Sequence, residues 1–182
     1  MKKKEFFTFR GYEMQRKNKM YLTASMEDYL EMISRQCEGN RIVRINSLAE
    51  QLNVQAPSVT KVVQKLAKIG LLAYEKYGII QLTEKGKKIG DFLLARHRTI
   101  ETFLRHIGVR ESCILKETEM IEHYLSIDSV RNIELLNEFF TKNPDIVERL
   151  KKFIIARENE GFGICNAAKE LHKMLFSEEG RN

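Results

Sequence analysis

The string Glu119-x-x-Glu122-His123 places two carboxylates and an imidazole within five residues. Asp28-x-x-Glu31 adds two more carboxylates about ninety residues earlier, and His97 lies between the two strings. Side chains three or four apart share one face of a helix. Each string can therefore aim its oxygen and nitrogen donors at a common point. All six donors are carboxylate oxygen or imidazole nitrogen, with no thiolate among them. That set suits Mn2+ or Fe2+ in six-coordinate geometry, whereas structural Zn2+ and Cu+ sites usually recruit cysteine. Four carboxylates sum to −4, which two divalent ions neutralise and one does not, so two ions per chain are expected. Fe2+, Co2+, Zn2+ and Cd2+ are expected to compete in vitro, because tighter-binding ions occupy such a site without being the physiological signal.

A second group of residues suits phosphates and base edges. Gln55, Ala56, Pro57, Ser58, Thr60, Lys61 and Gln64 cluster at the start of a periodic segment ending near Ile69. Glutamine pairs bidentately with adenine, hydroxyls donate or accept, and alanine or a threonine methyl packs on the thymine methyl. Lys61, Lys65 and, further on, Lys76 and Tyr77 are placed for phosphates.

These residues need elements to hold them. Met26, Tyr29, Leu30 and Ile33 recur at helical spacing in a helix opening at Thr23 or Ser25, with Ser25 and Asp28 as a capping pair and Gly39 as the stop. The alternation Arg41–Ile45 reads as extended. Ser47 is expected to cap a helix over 48–52, and Asn53-Val54 to turn into a third helix from Pro57 to Ile69, closed by Gly70. Its buried set is Ala49, Leu52, Val54, Val59, Val62, Val63 and Leu66, the pattern of a helix-turn-helix. Two short strands about a Tyr77-Gly78 turn make it a winged version. Thr83 then caps one long helix, 84–107. Helices over 111–125, 130–140 (capped by Asp128 or Ser129) and 145–157 follow, with a last short one over 164–176. The expected fold is mainly α. It comprises a basic extension (1–20), a winged helix-turn-helix domain (21–90), a helical metal-binding and dimerisation domain (91–160) and a tail (161–182).

Composition excludes several classes. The chain has 182 residues, 43% of them hydrophobic, with two prolines and no tryptophan, enough apolar material for a packed helical core. No stretch approaches the ~20 apolar residues of a membrane span. The basic N-terminus has no apolar core, so no secretory signal is expected. Three cysteines, odd in number and far apart, suit a reducing cytoplasm. The net charge of +6 is unevenly spread: residues 1–20 carry +5 and residues 41–90 carry +6, while 21–40 carry −3 and 91–182 carry −2. Positive charge thus falls on the segment expected to meet phosphates.

Several strings together resemble the diphtheria-toxin-repressor family, in its manganese transport regulator branch. They are Ser25-Met-Glu-Asp-Tyr29 with Glu31, Ser58-Val-Thr-Lys61 with Val63-Gln-Lys-Leu66, Tyr74-Glu-Lys-Tyr77, and Lys85-Gly-Lys-Lys-Ile-Gly90. Arg96-His97, Ile107-Gly-Val109 and Glu119-x-x-Glu122-His123 with Leu125-Ser126 complete them. The resemblance runs from about Leu22 to Phe153. It implies a homodimeric repressor of metal-uptake genes that binds a palindromic double-stranded operator when a binuclear metal site is filled. It also implies that Asp28, Glu31, His97, Glu119, Glu122 and His123 are the six metal ligands. The recognition helix opens Ala56-Pro57-Ser58-Val59, where the family pattern has Pro-Ser-Ser-Val, a departure at the residues that meet bases.

An Fe2+-responsive repressor of the same family and a winged-helix regulator with a non-metal effector are the alternatives. An enzyme is not expected: di-iron oxidases carry Glu-x-x-His on each of two helices, and Glu119-x-x-Glu122 has the wrong last residue.

Overall fold

The computed structural model describes residues 22–37, 42–74 and 79–160. The basic extension, the tail with its expected last helix, Gly39, and the wing tip with Lys76, Tyr77 and Gly78 lie outside the described residues. The chain divides into two compact units, Met1–Arg96 and His97–Asn182.

In the first unit α1 (Ala24–Cys37) packs its apolar stripe of Met26, Tyr29, Leu30 and Ile33 into the core. Of the two expected openings, Thr23 is the one used: its Oγ1 and carbonyl oxygen both accept from the Met26 N–H, at 3.3 and 2.9 Å. β1 (Val43–Arg44) runs directly into α2 (Ile45–Gln51). That helix therefore begins three residues before its expected start. Extended Arg44 is the cap position without a side-chain bond, and Ser47 falls in the first turn. α3 (Ala56–Lys68) has Gln55 as its cap residue and Pro57 in its first turn, where the missing N–H is harmless. Gly70 ends it at φ 76°, a conformation that glycine adopts without strain.

Ala49, Val59, Val63 and Leu66 are buried as expected, and Leu52 and Val62 are partly buried. Val54 is exposed instead, because it lies in the turn between α2 and α3. β2 (Leu72–Tyr74) and β3 (Ile79–Leu82) form the wing. β3 also pairs with β1, Val43 opposite Ile80, so the sheet has three antiparallel strands in the order β1-β3-β2. One long helix, α4 (Glu84–His106), opens on the Thr83 hydroxyl, which accepts from the Gly86 N–H at 3.0 Å. A Cβ at Gly90 would stand 1.8 Å from Ser34 Oγ, so only glycine allows α4 this close to α1.

The second unit contains the end of α4 and three further helices: α5 (Glu111–Ile121), α6 (Ile127–Lys142) and α7 (Pro144–Asn159). Its apolar core is small: Ile100, Leu104 and Ile114, with Phe103, Ile107, Val109 and Leu125 against them. Asn137 on α6 ties back to α4. Its Nδ2 donates to the Thr99 carbonyl oxygen at 2.8 Å, and its Oδ1 lies 3.1 Å from His106 Nδ1. α6 is capped by Ser126, whose Oγ accepts from the Ser129 N–H at 3.1 Å, rather than by Asp128 or Ser129. Because Ser126 already caps the next helix, α5 stops at Ile121, four residues short of expectation.

Candidate metal centre and nucleic-acid interface

The early end of α5 decides where the donors sit. Glu119 remains within the helix. Glu122 is its C-cap in helical torsion, its N–H donating to the Thr118 carbonyl oxygen, and His123 lies in the turn that follows. Tyr124 N–H donates to the Ile121 carbonyl oxygen at 3.0 Å, an i, i+3 bond that tightens this turn. Glu122 and His123 are therefore held by a helix end and a turn, not by mid-helix backbone as the periodicity suggested.

Within the second unit these residues converge. His97 Nδ1 lies 2.9 Å from Glu122 Oε2 and 3.9 Å from Glu119 Oε1. His123 Nε2 lies 3.6 Å from Glu122 Oε1. One donor atom each from Glu119, Glu122 and His123 falls within 4.8 Å of the others. His97 and Glu122 are each 1% exposed. Carboxylates are rarely buried without a positive partner, and burial of this kind marks functional groups. An octahedral hard cation with ligands at about 2.1 Å places neighbouring donors about 3 Å apart and opposite ones about 4.2 Å apart. The separations here fall in or near that range. The cluster contains no sulfur, so the donor set fits a hard or borderline divalent ion.

In the first unit Asp28 and Glu31 stand one turn apart on α1, Glu31 buried and Asp28 partly so. Glu31 Oε1 accepts from Arg35 Nη2 at 2.7 Å. Tyr29 beside them has its phenol pushed above the ordinary range, first by burial and then by the Asp28 carboxylate. Two pairs escaped the sequence reading. Arg96 Nη2 donates to Glu27 Oε2 at 3.0 Å inside the first unit. Glu101 Oε1 stands 3.7 Å from His97 Nε2 in the second. The signal for the first was a charged residue, Glu27, placed among the apolar positions of α1; for Glu101 it was the i, i+4 spacing from His97.

The other group lies on α3. Gln55, Pro57, Ser58, Lys61, Gln64 and Lys65 are exposed along its start and outer face, and Ala56 and Thr60 are partly buried. Thr60 Oγ1 donates to the Ala56 carbonyl oxygen at 3.0 Å, which leaves its methyl and an oxygen lone pair for a base. Asn53 adopts φ 51°, a left-handed conformation that asparagine tolerates, in the turn that launches α3.

A winged helix-turn-helix followed by a helical unit with a buried carboxylate–imidazole cluster defines a DNA-binding regulator controlled by a divalent metal. Two family models match successive parts of the chain. "Iron dependent repressor, N-terminal DNA binding domain" covers residues 21–80, and "Iron dependent repressor, metal binding and dimerisation domain" covers residues 83–151. The chain belongs to the iron-dependent repressor family, the diphtheria-toxin-repressor family that its motifs resemble. It is 46% identical over 129 residues to the HTH-type transcriptional regulator MntR of Lysinibacillus sphaericus (strain C3-41), a match covering 71% of this chain and 93% of that one. It is 45% identical over 138 residues to the regulator of the same name from Geobacillus thermodenitrificans (strain NG80-2), covering 76% and 96%. Among solved structures, the manganese regulator SloR aligns with a TM-score of 0.58 at 31% identity, covering 65% of this chain and 55% of that one. A manganese-dependent transcriptional repressor in complex with manganese aligns with a TM-score of 0.57 at 31% identity, covering 63% and 53%. The chain thus spans little more than half the length of those two solved chains. The protein is a metal-dependent transcription regulator that binds DNA and self-associates.

Proposed function

We propose that this protein is a manganese-responsive repressor whose six donors hold two divalent ions. Asp28 and Glu31 come from the unit that reads DNA, and His97, Glu119, Glu122 and His123 come from the unit that dimerises. The observation that carries this reading is the convergence of the last four in the second unit, His97 Nδ1 being 2.9 Å from Glu122 Oε2. The relatives named MntR and the solved manganese regulators support the choice of ion, as does the donor set without sulfur. When bound, divalent cations supply positive charge and shared coordination. The rest is done by the chain. With the site empty, the clustered carboxylates, Asp28 and Glu31 in the first unit and Glu119 and Glu122 in the second, repel one another. With the charge neutralised, a DNA-competent arrangement is favoured and its population rises. A hundredfold preference for that arrangement corresponds to about 2.7 kcal/mol, within the usual range of coupling between sites.

In the dimer the two α3 helices would stand about one DNA turn apart, matching a palindromic operator upstream of metal-uptake genes. Gln55, Ala56, Pro57, Ser58, Thr60 and Gln64 meet bases, and Lys61, Lys65, Lys76 and Tyr77 meet phosphates. The protein works in the cytoplasm and catalyses no reaction. No described helix is long and apolar enough to cross a membrane.

Mn2+ titration of the full chain, followed by the loss of the free-ion electron paramagnetic resonance signal with an Fe2+ arm under anaerobic conditions, tests the site. Two Mn2+ per chain are expected, with at least one lost in Glu122→Ala. A wild-type chain that binds no Mn2+, or a Glu122→Ala chain that still binds two, contradicts the reading. Selective response to Fe2+ alone would move the protein to the iron-sensing alternative.

A further inference from the structure

The Glu27–Arg96 pair is sealed inside the first unit, its two side chains 3% and 7% exposed. Burying an ion pair seldom adds stability over an apolar pair of the same volume, so stability alone is a poor reason for it. Direction is what it supplies, since a charge-assisted bond from a planar guanidinium has a narrow geometry.

Its position in the two helices gives that direction a use. Glu27 immediately precedes Asp28 and lies one helical turn before Glu31 on α1. Arg96 immediately precedes His97 on α4. A second contact between these helices lies at Ser34 and Gly90, where a Cβ would stand 1.8 Å from the serine oxygen. On α1 the two contacts are seven residues apart, about 10 Å along the axis. The apolar stripe of α1 holds it in the core, and two polar contacts this far apart fix its distance and register against α4. Asp28 and Glu31 fall between them.

We propose that Glu27 and Arg96 are positioning residues for the metal centre, setting the register of the α1 carboxylates before any ion arrives. The proposal rests on the ligand assignment above. Neither residue touches the ion; each acts through the backbone of its neighbour. Loss of groups that orient metal ligands commonly weakens metal binding about 10- to 100-fold.

The test is Mn2+ titration of the full-length wild type and of the Glu27→Gln/Arg96→Met double variant, which removes both charges and so strands neither. Circular dichroism and thermal unfolding are measured on both. The expected result is unchanged helical content with Mn2+ affinity lowered by about 10-fold or more. A double variant that binds Mn2+ as tightly as wild type overturns the proposal, even if its melting temperature falls. A double variant that loses its helical signal also overturns it, by assigning the pair to folding. A wild type that binds no Mn2+ defeats the ligand assignment itself, which separates the two failures.

Discussion

The two units bury different things. The first holds fourteen buried hydrophobic residues in one cluster, from Met26 to Leu93, and Leu30, Ile33, Val43, Leu48, Val59, Val63 and Leu66 have no exposed surface. The second has three such residues in its cluster, Ile100, Leu104 and Ile114. Outside that cluster it buries Val130 and Phe140, and five polar side chains, His97, Thr118, Glu122, His123 and Asn137. It also leaves Leu115, Met120, Tyr124, Ile127, Leu135, Phe139, Phe153 and Ile155 in contact with solvent. The difference teaches where each unit finds its stability. The first has a large apolar core in the single chain, with Glu27, Glu31 and Arg96 buried beside it. The second, in the lone chain, has a small apolar core, one buried carboxylate, Glu122, and many apolar side chains in contact with solvent. On the proposed function, a cation beside Glu122 and a second copy of the chain across the exposed apolar side chains would complete it.

The contrast can be broken at its strong end first. Leu30→Ala removes a fully buried side chain from the large core and should cost about 2–5 kcal/mol. Urea unfolding measures it, and a loss below about 1 kcal/mol would mean that the first unit is not tightly packed. Phe139→Asp alters a side chain that is 46% exposed in the second unit. It should leave the helical signal intact yet weaken self-association by about 2 kcal/mol or more, read by sedimentation at several concentrations. An unaltered dimer would place the interface elsewhere. Ser126→Ala removes the α6 cap and should cost about 1 kcal/mol. In the dimer that loss should appear in the same transition as dissociation. A separate early transition would show the second unit folding without its partner.

How far the chain announced all this depends on the kind of signal. α3 was readable almost to the residue, because Pro57 and Gly70 punctuate it and Val59, Val63 and Leu66 keep its period. Acids and histidines at helical spacing stand out from an apolar pattern, and four of the candidates, His97, Glu119, Glu122 and His123, come together in the second unit. Helix ends were harder. Thr23 rather than Ser25, and Ser126 rather than Asp128, cap their helices, and neighbouring small polar residues offer the same chemistry to a reader of spacing. Periodicity carried α5 on to Leu125, although the tightened turn at Tyr124 ends it at Ile121. The pairing of β1 with β3 joins residues more than thirty positions apart, which no local pattern encodes. The Glu27–Arg96 pair is hidden for the same reason: Glu27 stands out among the apolar positions of α1, but nothing local names Arg96 as its partner until α1 and α4 meet.

The central claim is that metal in the carboxylate–imidazole site controls DNA binding, and fluorescence anisotropy tests it most directly. A duplex selected by the chain from random sequence is titrated at saturating Mn2+ and again with chelator, for wild type and Glu122→Ala. Wild type should bind at least ~10-fold more tightly with Mn2+, within the range of coupling between sites, and Glu122→Ala should bind weakly in both conditions. Equal wild-type affinity with and without Mn2+ would contradict the account.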